Sequence, residues 1–446
     1  MNSKYWFITQ NAIIALITYS LMTGSSVLMN VAVIFSAIYI CFADYTYSFL
    51  FLLAVTVFEN AFKFNGILAW FFLVVIVLIK YIMSTHFKIK KKSTVGFIAF
   101  ILLLLIELLD DTLNFGINGQ MLTTIVLILY FAFLFSDQVI IQLDERNIVL
   151  SLGTSFFFAV VYLLSQYGGL TSFISKFMTS SYAYRFGHSY GDTIGGAMGI
   201  PIYSLLIISF SVVILLKNKS NTSIISNLYI LFLNAISIVF GALTISRSFY
   251  VGLAIIVVFF LLGKSEERAS WKKILFILVG IIVAIAVFRM FSAVINQTFD
   301  NLFMRIDMDA ERGGTGVRTH IWQSAFEYLF EHPIGILFGF GSNGYQLIGQ
   351  NSNLLFSAGT HNLFVDLVMS WGFVGSICVL VLITDYLPIA VGFKCARNWL
   401  PIILPIITLI IFCLIAMRTN SIKTFIYLFA CISIIKRYYI EELEEE

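Results

Sequence analysis

The sequence predicts an all-α polytopic integral membrane protein with about 12–14 transmembrane helices, and three observations lead to this fold class. Of the 446 residues, 60% are hydrophobic and only 11% are charged, and the mean hydropathy is +0.95. A soluble domain carries roughly 25% charged residues, and no water-soluble core buries so much apolar side chain. Apolar runs of span length recur along the chain, and basic residues fall in every second connection between them.

The apolar runs are candidate spans because a helix needs about 20 mostly apolar residues to cross a bilayer. They are residues 5–23, 26–43, 46–59, 65–83, 95–109, 120–136, 148–165, 194–216, 223–244, 247–263, 272–290, 361–386, 399–417 and 422–435. The third and the last are short, which leaves the number of spans open. The first run has no convincing cleavage site, so we interpret it as a retained helix.

The basic residues indicate the direction in which the chain crosses the membrane. If both termini are cytoplasmic, the inner connections hold Lys88, Lys90, Lys91, Lys92, Arg146, Lys217, Lys219, Lys264, Arg268, Lys272, Lys273, Lys394, Arg397, Lys436 and Arg437. The net charge of +3 is small and dispersed, so it indicates no nucleic-acid partner.

This pattern divides the chain into six parts. They are N-terminal transmembrane helices (1–165), an extracytoplasmic loop (166–193), central transmembrane helices (194–290), a large extracytoplasmic loop (291–360), C-terminal transmembrane helices (361–435) and a cytoplasmic acidic tail (436–446). The large loop contains an amphipathic helical segment, 317–331, which His332-Pro333 ends, and then a glycine-rich turn region, 335–345. Long loops are usually functional, and the lack of a clear internal repeat counts against an inverted-repeat transporter.

Four basic residues lie on the predicted outer side, against the positive-inside trend: Arg185, Arg247, Arg318 and His361. Guanidinium groups match phosphate oxygens in bidentate fashion, and a histidine can take a proton from an attacking hydroxyl near neutral pH. If the four converge, they suit a diphosphate-linked substrate. Each has a simpler interpretation as well, since an arginine at a span end is often an interfacial anchor and a lone histidine is usually a satisfied polar residue.

Two other patterns are discounted as cofactor or metal sites. Residues 339–344 spell GxGxxG, but a dinucleotide site needs that run between a strand and a helix. The acidic run of Asp307, Asp309 and Glu311 has the oxygen ligands of a divalent-cation site, yet a solvated loop is the simpler interpretation.

Further polar and sulfur groups have no assigned role. Glu107, Asp110 and Asp111 end the fifth span, where carboxylates could bond sugar hydroxyls, although nothing in the sequence selects that role. The cysteines form no CxxC pair or metal-ligand cluster and are best interpreted as small buried hydrophobes. They are Cys41, Cys378, Cys395, Cys413 and Cys431.

One motif resembles a known family. His361-Asn362, nine residues and Gly372-Phe373-Val374-Gly375 resemble the H-[NSQ]-x9-G-x-x-G signature of the O-antigen ligase and polymerase superfamily. The resemblance is strongest over residues 180–385 and includes the runs 185–187, 246–248, 316–322, 331–335 and 339–341. Ser376 stands where the ligase signature often has Thr or Val, which favours a polymerase.

The resemblance implies a fold similar to the GT-C membrane glycosyltransferases and assigns roles to the residues that match. His361 and Arg318 would be catalytic, with His361 as the general base or acceptor-orienting group. Gly372 and Gly375 would allow close helix packing behind His361, and Asn362 would support it. Arg185, Arg247 and Arg318 would hold the diphosphate, with no metal or other cofactor.

The implied activity is that of a Wzy-type polysaccharide polymerase in the bacterial inner membrane, making O-antigen, capsule or exopolysaccharide. Its substrate would be an oligosaccharide on undecaprenyl diphosphate at the outer leaflet, and a flippase and a chain-length regulator would be its partners. Two alternatives stay open: a ligase that moves finished glycan to a terminal acceptor, and a flippase or transporter for lipid-linked sugars. A flippase should show pseudo-symmetric halves and short loops.

Overall fold

The computed structural model describes residues 3–85, 94–134, 143–179, 184–188, 194, 196–216, 224–262, 292–304, 306–307, 316–347, 362–386, 399–413 and 421–445, and most of them are helical. The helices are α1 (Ser3–Thr23), α2 (Ser26–Phe42), α3 (Tyr45–Val55), α4 (Ala69–Thr85), α5 (Thr94–Phe115), α6 (Gly119–Leu134), α7 (Glu145–Gln166), α8 (Leu170–Thr179), α9 (Gly196–Leu216), α10 (Ile224–Ala242), α11 (Arg247–Leu262), α12 (Gly316–Glu331), α13 (Pro333–Phe338), α14 (Leu363–Tyr386), α15 (Trp399–Cys413) and α16 (Ile422–Glu445). Residues 292–304 are helical as well.

The helices agree with the predicted spans in position. Each predicted span except 272–290, which lies outside the described residues, coincides with one helix. The strands of the described part are β1 (Lys63–Phe64) and β2 (Ile67–Leu68), which pair antiparallel. Their turn, Asn65-Gly66, has positive φ at both positions, as a two-residue hairpin favours. Because of this hairpin, α4 begins at Ala69 and not at the predicted residue 65.

Three predicted non-helical segments contain helix. The predicted loop 166–193 holds the amphipathic α8, whose Phe173 and Phe177 are buried. The predicted turn region 335–345 begins inside α13, because Pro333 is preorganised for the first position of a helix. The acidic tail continues α16 to Glu445, since Glu and Lys are good helix formers.

The helices pack into one body that has a second, smaller apolar cluster. The central helix α9 contacts α7, α10, α11 and α15, and one buried apolar cluster extends through most of the helices. A smaller cluster joins α12, the 339–344 segment and α14 through Ala325, Leu329, Phe340, Val365 and Met369. Helix α14 also packs along α5.

The helices have the apolar character that a bilayer requires. Within the described residues, three are long and apolar enough to cross a membrane: Tyr5–Thr23, Glu145–Gln166 and Leu363–Asp385. Other apolar helices are shorter, with 10–17 residues. Large apolar side chains such as Phe42, Ile98 and Leu228 are exposed on their outer faces, where lipid is the fitting solvent. The number of helices that cross the membrane stays a prediction.

Candidate functional site

The predicted site residues lie in different elements of the structure. Arg185 belongs to the short segment 184–188, Arg247 is the first residue of α11, and Arg318 lies in the first turn of α12. His361 lies outside the described residues, and so does the side chain of Arg318. The convergence of all four in one cavity therefore stays a prediction. The structure describes the side-chain environment of Arg185 and Arg247.

The segment 184–188 is fastened to the end of α10. The Phe186 N–H donates to the Leu243 carbonyl at 2.9 Å, and the buried Phe186 ring lies 4.7 Å from the Phe240 ring, centroid to centroid. The Gly187 N–H donates to the Tyr167 hydroxyl at 2.9 Å. These contacts fix the backbone directly after Arg185.

The guanidinium of Arg185 is half-exposed and faces a histidine of the same turn. Its Nε and one terminal nitrogen lie 3.3 and 3.2 Å from Nδ1 of His188. Since a guanidinium only donates hydrogen bonds, Nδ1 is the acceptor. This geometry requires a His188 imidazole that is unprotonated at Nδ1.

Arg247 follows the same tight turn to which segment 184–188 binds. The turn leaves α10 with Ile245 at φ 51°, and the Thr244 hydroxyl donates to the Gly241 carbonyl at 2.6 Å. The Phe249 ring packs directly over Gly241, where a Cβ atom would collide with it. The Arg247 side chain is exposed, so the turn carries one arginine four residues after the point that binds the Arg185 segment.

Helix α14, which begins directly after His361-Asn362, is broken. Asn362 caps it, since its side-chain oxygen accepts from the Phe364 N–H at 3.0 Å. Gly372 interrupts it with φ 60° and ψ −168°, a conformation that suits glycine. A Cβ atom at Gly372 would collide with the Leu337 carbonyl. Gly375 lies where α14 meets α5, with its Cβ position 3.5 Å from Leu103.

Residues 339–344, which form the GxGxxG segment, pack into the break of α14 at Gly372. The N–H groups of Phe340 and Gly341 donate to the carbonyls of Met369 and Ser370, both at 2.9 Å. Gly339 has φ 86°, and a Cβ atom there would collide with the Ser370 carbonyl. The run follows a helix and pairs with a helix break, so its glycines serve close backbone approach and not the strand-to-helix turn of a dinucleotide site.

Two buried carboxylates of α5 hold this junction. Asp111 accepts from the Asn343 N–H at 3.2 Å, from the Asn343 side-chain amide at 3.1–3.2 Å and from the Asn118 amide at 2.8 Å. Glu107 accepts from the Trp371 indole N–H at 2.7 Å. We call these five residues the acid clamp. The sequence did not assign the two carboxylates a role, although their spacing of four residues places them on one face of a helix.

A buried ion pair is a second feature that sequence reasoning missed. The Lys423 ammonium, at the start of α16, lies 3.1 Å from a carboxylate oxygen of Glu59, just after α3. The Ser421 hydroxyl donates to the same carboxylate at 3.1 Å, and the ammonium lies 5.5 Å from the centre of the Tyr203 ring in α9. The pair therefore links α16 and α9 to the segment that follows α3, and neighbouring protein groups satisfy both of its charges.

Metal ligands do not cluster in the part of the chain that the structure describes, where no group of three or more His, Cys, Asp or Glu residues is arranged to hold a metal ion. Of the acidic run in the large loop, Asp309 and Glu311 lie outside the described residues. The expectation of a metal-independent reaction stays a prediction.

The fold and composition define a polytopic all-α membrane protein with a junction of broken helix and loop near one end of α5. Residues 232–380, about a third of the chain, match the family model described as O-antigen ligase. The chain therefore carries a domain of the O-antigen ligase and polymerase superfamily. The match includes Arg247, Arg318, His361 and both glycines of the signature, and it leaves out Arg185 and the two carboxylates of α5. No curated protein matches the chain.

Proposed function

We propose that this protein polymerises oligosaccharide repeat units carried on undecaprenyl diphosphate, at the extracytoplasmic face of the bacterial inner membrane. The observation that carries the proposal is the O-antigen ligase match, which spans Arg247, Arg318 and His361. The turn that brings the Arg185 segment to the base of α11 supports it. O-antigen, capsule or exopolysaccharide would be the product, and a GT-C-like arrangement of the helices belongs to the proposal.

The reaction would transfer the growing glycan from its lipid diphosphate to an acceptor hydroxyl. His361 accepts the hydroxyl proton, the oxygen bonds to the anomeric carbon, and the bond from that carbon to the diphosphate oxygen breaks. The diphosphate leaves with its added negative charge, which Arg185, Arg247 and Arg318 stabilise. Guanidinium groups stay charged throughout, so the chemistry calls for no metal ion. A flippase supplies the substrate, and a chain-length regulator is the expected partner.

The test is reconstitution of the full chain in liposomes with a lipid-linked repeat unit. We expect a ladder of polymer from the wild type and only single repeat units from His361→Ala. His86→Ala, which changes a histidine on the predicted cytoplasmic side, is the matched control and should leave the ladder intact. An unchanged ladder from His361→Ala would remove His361 from the mechanism.

A ligase is the second proposal, because the matching family is described as O-antigen ligase. The same liposomes separate the two activities. A polymerase extends the lipid-linked repeat unit when no other acceptor is present, whereas a ligase makes product only after a terminal acceptor is added. A protein that moves the lipid-linked sugar across the bilayer and forms no glycosidic bond would be a flippase and not an enzyme of this family.

A further inference from the structure

The segment that joins α12 to α14 has an apolar outward face. On α12 that face carries Gln323 and Glu327, which bond each other at 2.8 Å, and it then becomes apolar at Phe330. Ile334 and Leu337 of α13 are 76% and 50% exposed. Contiguous exposed apolar side chains mark a contact surface. Since Phe326 is exposed beside Gln323 and Glu327, the face is mixed on α12 and becomes apolar on α13, on approach to the helix break.

The depth of the break follows from the length of α14. Thirteen residues separate Gly372 from Asp385, the first charged residue on that side of the break. At 1.5 Å per residue they span about 20 Å, whereas the hydrocarbon core is about 30 Å thick. With Asp385 placed at the predicted cytoplasmic edge of the core, Gly372 lies about 10 Å inside the opposite edge.

Helix α5 provides an independent measure of the same depth. It runs antiparallel to α14, since Trp371 bonds Glu107 while Gly375 meets Leu103, four residues earlier. From Thr94, where α5 begins, to Glu107 there are again 13 residues, or about 20 Å. Both helices place the Glu107–Trp371 contact at the same level inside the core.

Helix α13 reaches this level as well, because the Leu337 backbone lies against Gly372. Phe373 and Ile377, which follow Gly372 on α14, are exposed apolar side chains as well, and α14 is one of the helices that can span the membrane. Irregular backbone at such depth is tolerated only where protein covers and satisfies it. Residues 339–344 meet that condition, since they are buried and bond to the acid clamp and to α14.

We propose that α13 is a re-entrant element of the large loop, which descends into the outer leaflet so that Ile334 and Leu337 contact lipid acyl chains. His332-Pro333 turns the chain at the membrane surface, and the six residues of α13, Pro333 to Phe338, then cover about 8 Å of depth. A bilayer is the occupant that fits, because α13 meets α14 at Gly372, directly before the exposed apolar side chains of α14. This inference depends on the membrane position of α14 and not on the glycosyl transfer reaction.

Spin labels measure this depth directly. Each of Ile334→Cys, Leu337→Cys and Glu327→Cys is made in the full chain with its five native cysteines replaced, labelled, and reconstituted as one copy per lipid nanodisc. Oxygen partitions into hydrocarbon and a water-soluble nickel chelate does not, so the ratio of their relaxation effects reports depth. All three positions are exposed, so the labels should not disturb folding.

We expect the oxygen-to-nickel ratio to rise severalfold from position 327 to position 334, and to be highest at 337. Nickel accessibility at 334 and 337 equal to that at 327 would overturn the proposal and place α13 in water. Labels shielded from both reagents, with dipolar coupling between copies in liposomes, would assign the face to a second copy and also overturn it. A single monodisperse peak for each labelled protein confirms that the fold is intact.

Discussion

Two charged regions of the molecule are built in opposite ways. At the turn between α10 and α11, the backbone is fixed by apolar and main-chain contacts, and the guanidinium groups of Arg185 and Arg247 extend to the surface. In the acid clamp, the carboxylates of Glu107 and Asp111 are fully buried and bind neighbouring protein groups. The first arrangement places its charge at the surface, and the second uses charge to hold backbone.

The two regions should therefore serve different purposes, the arginine turn activity and the acid clamp stability. A fully buried carboxylate that satisfies an irregular loop leaves buried donors unpaired when it is removed, so its loss destabilises the fold. A surface guanidinium contributes little to stability, so its loss should act on the substrate. Substitutions in the two regions should therefore change different measurements.

Arg247→Ala should have the largest effect on activity. Removal of one preorganised donor to a developing negative charge lowers kcat by roughly 10²–10³-fold. Because the side chain is exposed, the midpoint of thermal unfolding should stay unchanged. Polymer formation in liposomes and unfolding in nanodiscs are the two measurements.

The matched control for this prediction is Arg146→Ala. Arg146 donates to Ser226 at 2.8 Å and to Asn227 at 3.1 Å on the predicted cytoplasmic side, at the end of α10 opposite to the Arg247 turn. It should keep most of the wild-type activity. Equal losses in the two variants would show that Arg247 has no special role.

The sequence predicts the helices better than it predicts the contacts between them. Apolar runs place each helix, because length and hydropathy are local properties of the chain. The short helices α8 and α13 are not predicted, because each has too few apolar residues to be recognised without the contacts that it makes in the folded protein. The spacing of Glu107 and Asp111 shows that they share a helix face, but not what that face meets.

The sequence does not reveal the partners of these carboxylates, because they are distant along the chain. Trp371 and Asn343 lie 264 and 232 residues from the carboxylates they bind, and no local pattern joins positions so far apart. The same is true of the Arg185 segment, which lies beside the end of α10 because the Phe186 N–H bonds the Leu243 carbonyl. The motif around His361 was visible since it is contiguous, and its chemical role stays a prediction.

Asp111→Ala should mainly lower stability. It leaves the buried Asn343 N–H without its acceptor and leaves the Asn343 amide only the Asn118 side-chain oxygen, at 3.3 Å; an orphaned buried donor costs about 1–3 kcal/mol. The unfolding midpoint in nanodiscs should fall clearly, while activity of the protein that stays folded at low temperature should be retained in large part. The unfolding midpoint of Asp111→Asn, which keeps one acceptor oxygen, should lie between those of the wild type and Asp111→Ala.

Asp110→Ala is the control for the clamp. Its side chain is only half-buried, and its Oδ2 accepts no hydrogen bond from the described residues, so the change should cost less than about 0.5 kcal/mol. If both aspartate variants unfold at the same temperature, net charge at the end of α5 matters and the specific bonds of Asp111 do not.

Tyr167→Phe should have the smallest effect and tests whether the fixed turn matters to the substrate. The change removes the hydroxyl that accepts from the Gly187 N–H at 2.9 Å and keeps the ring. Arg185 then loses part of its positioning, so KM for the lipid-linked donor should rise by roughly three- to fivefold, about 0.7–1 kcal/mol, with kcat nearly unchanged. Tyr19→Phe, at an exposed ring, should change neither constant. A lower unfolding midpoint with an unchanged KM would mean that the Tyr167 hydroxyl serves the fold alone, and that the arginine turn does not need to be rigid to bind diphosphate.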